Sequence, residues 1–123
     1  LRRSEAPTVF GDGSQTRDFV FVGDVVAAML AAVASNDPLA GEGDDGPAYN
    51  ISTGERVSVE QLLLSLRVAS GYLGGVEYGP AREGDILHSA LDPSKAARSF
   101  GWRAGVPLDA GLAATWRWFA GRS

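Results

Sequence analysis

The sequence predicts a small α/β fold, and three observations carry that expectation. Short runs rich in β-branched and aromatic residues alternate with four amphipathic helical runs. The strand runs are too short for a full doubly wound domain, so one small sheet is expected. The length of 123 residues, 45% of them hydrophobic, suits one domain spanning 1–123 with a modest core.

The elements follow in chain order. The chain opens at Leu1 without Met, and its first residues read as the frayed end of a helix entering a loop at Ala6-Pro7. A piece of a larger protein is therefore expected. Pro7 to Phe10 reads as a strand, since Thr8 and Val9 are β-branched and Phe10 is aromatic. Gly11-Asp12-Gly13 ends it as a turn. Thr16 to Val22 is the next extended run. Asp24 then stands as the cap of an apolar helix from Val25 to Ala34. That helix carries two apolar stripes and alanines between them, so a central position is expected. Ser35-Asn36-Asp37-Pro38 stops it.

Gly41 to Gly46 matches G-x-G-x-x-G literally. It lacks the preceding strand and following helix of a dinucleotide loop, and its carboxylates would repel a diphosphate. It reads as a polar surface loop. Ala48 to Ile51 reads as a strand closed by Ser52-Thr53-Gly54. Ser58 caps a helix from Val59 to Ser70, with Gln61 at the capping-box position and Gly71 ending it. Val59, Leu62, Leu63 and Leu66 mark its buried face. Val76 to Tyr78 is a further strand, Ala81 to Asp85 an irregular loop, and Leu87 to Leu91 extended. Asp92-Pro93 opens a helix that runs to Phe100 and stops at Gly101-Trp102. A last helix covers Leu108 to Ala120, with Leu108, Leu112, Trp116 and Phe119 on one face.

Composition excludes several chemistries. There is no run long enough to span a membrane and no signal-peptide pattern. Cysteine is absent, so disulfides and thiolate catalysis are excluded. The balance of 11 basic and 15 acidic residues, without a basic run, disfavours nucleic acid as a partner. A cytoplasmic location suits these features.

His88 is the one histidine, so no two-histidine metal site forms, and the bland reading of His88 is a loop or surface role. Lys95 is the one lysine, by default solvated. No tyrosine has a lysine four residues later, and no phosphate loop ends in lysine. What remains is a set of binding groups. Arg17 and Arg82 could grip one diphosphate, because planar guanidinium matches phosphate oxygens bidentately. Asp85 could accept from a ribose diol. The bland alternative pairs Arg17 with Asp18 or Asp12, and Arg82 with Glu83 or Asp85, on the surface. Taken alone, the chemistry favours that alternative, since exposed pairs of this kind are common and contribute only about 0–1 kcal/mol.

The run Gly11-Asp12-Gly13-Ser14-Gln15-Thr16-Arg17-Asp18-Phe19-Val20-Phe21-Val22, continued by Asp24-Val25, resembles the signature of the extended short-chain dehydrogenase/reductases. It is most similar to the NAD-dependent nucleotide-sugar epimerases and dehydratases, such as UDP-glucose 4-epimerase. The likeness continues through Tyr49 to Gly54, Val57-Ser58-Val59, Arg82 to Asp85, Asp92 to Ala96 and Phe100-Gly101-Trp102. Gly23 departs from the family, which usually has a polar residue there.

The resemblance implies the small C-terminal substrate domain of such an enzyme, with the N-terminal Rossmann half absent. It implies that Arg17 and Arg82 bind the diphosphate of a UDP- or dTDP-sugar and that Asp85 contacts the ribose. Phe19 would line the site, with Gln15 and Val57 as further wall residues. No residue of this chain would be catalytic. NAD would belong to the missing half, so the chain by itself would bind no cofactor and be inactive. The parent would be a homodimer, and the chain alone would self-associate. A stand-alone nucleotide-binding or interaction module is the alternative, separated by whether a glycine loop and Tyr-x-x-x-Lys lie upstream in the reading frame.

Overall fold

The structure, a computed structural model, describes residues 5–35 and 47–121. The expected helical start of the chain and the glycine-acidic loop at 41–46 lie outside the described residues. The remainder is α/β, with four helices and short strands among the described residues. It forms two compact units, one built from residues up to Arg17, from 56–89 and from Pro107 on, the other from 18–55 and 90–106.

The first unit holds two separate two-stranded ribbons where one sheet was expected. Strand β1 (Thr8–Phe10) pairs in parallel with β4 (Glu77–Gly79), with Val9 opposite Tyr78. Val9 is the buried residue of β1, as its central position in an alternating strand requires. Strand β2 (Thr16–Arg17) pairs antiparallel with β3 (Val57–Ser58), with Arg17 opposite Val57. The expected strand from Thr16 to Val22 keeps only its first two residues. The Leu87–Leu91 run contributes a single parallel bridge from His88 to Thr16.

Helix α2 (Val59–Ser70) begins and ends as its sequence dictates. The Ser58 side chain accepts from Gln61 N–H and the Gln61 side chain accepts from Ser58 N–H, a complete capping box. Gly71 closes it at φ 70°, in the left-handed region open to glycine. Its apolar positions Val59, Leu62, Leu63 and Leu66 are half-buried, and the helix packs on α4 (Leu108–Ala120). On α4, Leu108, Leu112 and Trp116 are half-buried, whereas Phe119 is exposed.

The second unit is built around Ala28, Ala96 and Trp102, with Ala31, Tyr49, Ile51, Phe100 and Ala104 against them. Helix α1 spans Val22–Ala34 and helix α3 spans Ser94–Phe100. Two expectations are corrected here. Asp24 is not the cap of α1: the helix starts at Val22, and Phe21 stands at its N-cap with no side-chain hydrogen bond. Asp24 is buried, its carboxylate accepts from Val106 N–H at 3.0 Å, and its carbonyl accepts from the Trp102 indole N–H at 3.0 Å. A tertiary contact has taken the carboxylate that local chemistry would spend on the helix end.

Nor is α1 central. Asp24 and Ala28, four residues apart on one face, are its buried residues, while Val22, Val26, Met29, Leu30 and Val33 are 49–85% exposed. The small face is the buried one because alanine lets the Trp102 ring approach the helix closely. The expected strand at Ala48–Ile51 forms no ladder; Tyr49 instead meets Phe100 edge-on at 5.2 Å. Pro93 precedes α3 at the N-cap position, and the Asp92 carboxylate accepts from Ser94 N–H at 2.8 Å.

Candidate functional site

Arg17 is seated by the first unit's own backbone. The turn before it is set by Gly11 and Gly13, both at positive φ (76° and 79°), and by Asp12, whose carboxylate accepts from Ser14 N–H. Gly13 is buried against α2: a Cβ there would stand 3.5 Å from Glu60 N and from Val9. The carbonyls of Gly13 and Gln15 accept from the N–H groups of Glu60 and Val59. The first turn of α2 thus finds partners for its otherwise unpaired donors in this stretch, which fixes the entry to β2. The Gln15 side chain donates to Phe10 O at 2.8 Å, bracing the same turn.

From β2, Arg17 Nη1 donates to Thr16 O at 2.8 Å and to Ile86 O at 2.6 Å, and Nη2 donates to the Asp85 carboxylate at 2.5 Å. The loop that supplies these acceptors is itself tied to β2. Thr16 N–H donates to Leu87 O, Ser89 N–H donates to Thr16 O, and the Thr16 hydroxyl lies 3.0 Å from His88 Nδ1. Gly84 sits at φ 77° within a turn in which Asp85 N–H donates to Arg82 O. Arg82 is exposed, and its guanidinium lies 4.0 Å over the Phe10 ring, a cation–π contact.

The first unit therefore brings together Arg17 and Asp85, sets Val57 opposite Arg17 in the ribbon, and gathers Gln15 and Arg82 at Phe10. The surface pairings are corrected in part. Asp12 serves Ser14, while Asp18 accepts from Thr53 N–H, the Thr53 hydroxyl and Gly54 N–H at 2.6–2.9 Å. Arg17 turns to Asp85 instead. Phe19 belongs to the second unit, where it is half-buried. Phe10, Thr16 and Ile86 were not among the expected site residues. Phe10 carried a signal, an aromatic directly before a glycine turn; the two carbonyls carried none, because any residue supplies one.

Burial raises the Asp18 pKa, but the hydrogen bonds from Thr53 and Gly54 outweigh it and hold the carboxyl below its ordinary value. The local hydrogen bonds of Ser14 lower Asp12 in the same sense, and those of Ser94 lower Asp92.

A cavity of about 660 Å³ lies in the second unit, lined by Tyr49, Asn50, Asp92, Ser94, Lys95 and Arg98 among others; it contains none of the expected site residues. Among the described residues, no three His, Cys, Asp or Glu stand together as metal ligands. No helix among them is long and apolar enough to cross a membrane. Among the described residues no strand, glycine loop and helix follow one another in the order of a dinucleotide cradle.

Comparison with known proteins agrees with the motifs. The family model for GDP-mannose 4,6 dehydratase matches residues 1–115. The chain is 37% identical over 115 residues to the UDP-glucose 4-epimerase of Mycolicibacterium smegmatis, covering 94% of this chain and 34% of that protein. It is 33% identical over 124 residues to the human UDP-glucose 4-epimerase, with 96% and 34% covered. Among solved structures, the UDP-glucose 4-epimerase of Thermotoga maritima with UDP-glucose matches at a TM-score of 0.84 and 38% identity, over 97% of this chain and 36% of that one. The Thermus thermophilus UDP-glucose 4-epimerase in complex with NAD matches at 0.81 and 30% identity, with 98% and 37% covered. The chain thus spans about a third of the length of the relatives it matches.

Proposed function

Because the chain belongs to the GDP-mannose 4,6 dehydratase family, among the NAD-dependent nucleotide-sugar epimerases and dehydratases, we propose that it is the substrate-binding portion of such an enzyme. Residues 1–123 act as that C-terminal portion. Arg17 and Arg82 clamp the diphosphate of a UDP- or dTDP-sugar, Asp85 contacts the ribose, and Gln15 and Val57 contribute to the walls. The observation that carries this reading is the seat of Arg17. Three of its five N–H groups are held by Thr16 O, Ile86 O and Asp85, and those on Nε and the second position of Nη2 have no acceptor among the described residues. An arginine so fixed, with donors to spare, suits an anion with several oxygens.

The work of this portion is positional. Holding the diphosphate fixes the nucleotide while the sugar reacts elsewhere, and orientation of that kind lowers the barrier to reaction. NAD, which exchanges hydride with the sugar in such enzymes, would be held by the N-terminal half. The chain alone is therefore inactive, and its parent is a cytoplasmic homodimer.

The test is calorimetric titration with UDP and dTDP in the full-length protein. Arg17→Ala is expected to weaken binding by about 1.5–3 kcal/mol, the range for a hydrogen bond to a charged group. Unchanged affinity would remove Arg17 from the site.

A further inference from the structure

A carboxylate beside a proposed diphosphate site opposes the ligand by like charge, so its presence there calls for a reason. The Arg17–Asp85 pair is partly exposed, at 31% and 38%, and an exposed ion pair alone stabilises little. What distinguishes this one is its company. The same guanidinium also donates to two backbone carbonyls, Thr16 O on β2 and Ile86 O on the facing loop. That loop is joined to β2 by three further contacts, through Leu87 O, Ser89 N–H and His88 Nδ1. Asp85 in turn is placed by the Arg82–Asp85 turn, with Gly84 at positive φ.

We infer that Asp85 is a positioning residue for Arg17: its carboxylate and the two carbonyls fix the guanidinium in the ligand-free protein, leaving one Nε and one Nη2 hydrogen for a phosphate. This deepens the reading of Arg17 as a diphosphate ligand and rests on it. The rotamer freedom of a long side chain is then lost on folding, before the nucleotide arrives, and binding is tighter by that difference. The role differs from a ribose contact, because it acts on any ligand that Arg17 holds, whether or not a sugar is attached.

The experiment titrates the full-length protein with UDP and, separately, with inorganic pyrophosphate, in Arg17→Ala, Asp85→Ala, Asp85→Glu and the Arg17→Ala/Asp85→Ala double variant. Asp85→Ala is expected to weaken both ligands by roughly three- to thirty-fold and, for pyrophosphate, which has no ribose, to add less than about two-fold once Arg17 is already alanine, the signature of coupled residues. Asp85→Glu, which keeps the charge, should recover part of the loss. In ligand-free protein, the Arg17 Nε–H signal in ¹H–¹⁵N spectra should be sharp and should broaden in Asp85→Asn. Additive losses for pyrophosphate, a loss for UDP alone, or an Nε–H signal indifferent to Asp85→Asn would each overturn the inference. If Arg17→Ala leaves both affinities unchanged, the diphosphate reading itself fails. In that case the Nε–H signal still decides whether Asp85 positions Arg17.

Discussion

Three adjacent positions divide their labour, and none of it is evident from residue type. Arg17 turns to Asp85 and two carbonyls, Asp18 binds the Thr53-Gly54 corner, and Phe19 is half-buried. Asp18 carries a testable consequence. Its folded pKa is depressed, so its contribution to stability is fully present above the unfolded value, about 3.9, and is lost as pH falls through the folded value. Asp18→Asn is expected to lower stability by roughly 1.5–3 kcal/mol at neutral pH, and the gap to the parent should close below about pH 4. Urea unfolding at a series of pH values checks this; a gap independent of pH would mean that the carboxylate charge contributes nothing. Asp24 shows the limit of local reasoning. An aspartate ahead of an apolar run reads as a cap, yet here it is buried and holds Val106 N–H.

At the scale of elements, helix ends chosen by local chemistry were legible and those chosen by tertiary contacts were not. Ser58, Gln61 and Gly71 specify both ends of α2 through hydrogen bonds and a left-handed residue within a few positions of each other. Ser58→Ala is expected to cost about 1 kcal/mol, measured by chemical denaturation. A change below a few tenths would mean that packing on α4 alone holds the helix start. The strands were legible as extended segments but not as ladders. Pairing depends on a distant partner: β1 finds β4 and β2 finds β3, each across a long stretch of chain. Ile51 has the β-branched character of a strand residue but is used to pack against the core around Trp102. The site divides in the same way. Arg17, Arg82 and Asp85 stand out by charge and loop position, whereas Phe10 became relevant only when the Arg82 guanidinium was found over its ring.

For the molecule as a whole, the exposed apolar face of α1 bears on behaviour in solution. Val22, Val26, Met29, Leu30 and Val33 all lie outside the core, and a contiguous patch of such residues on a chain free in water favours association. The chain in isolation is therefore expected to self-associate in light scattering. A stable, monodisperse monomer would count against its being one portion of a larger enzyme. The α/β class, both ends of α2 and the family likeness were legible from residue order alone, and the charged residues proposed for the candidate site were named from it. Each of these is written in short-range chemistry: hydrophobic period, capping side chains, and the order of motif residues along the chain. Long-range contacts set the rest: Arg17 pairs with Asp85, Asp24 serves Val106 and Trp102 rather than a helix end, and α1 buries Asp24 and Ala28 and exposes its larger side chains. These choices depend on which distant backbone groups and rings come within hydrogen-bonding or packing distance, and separation along the chain does not reveal that.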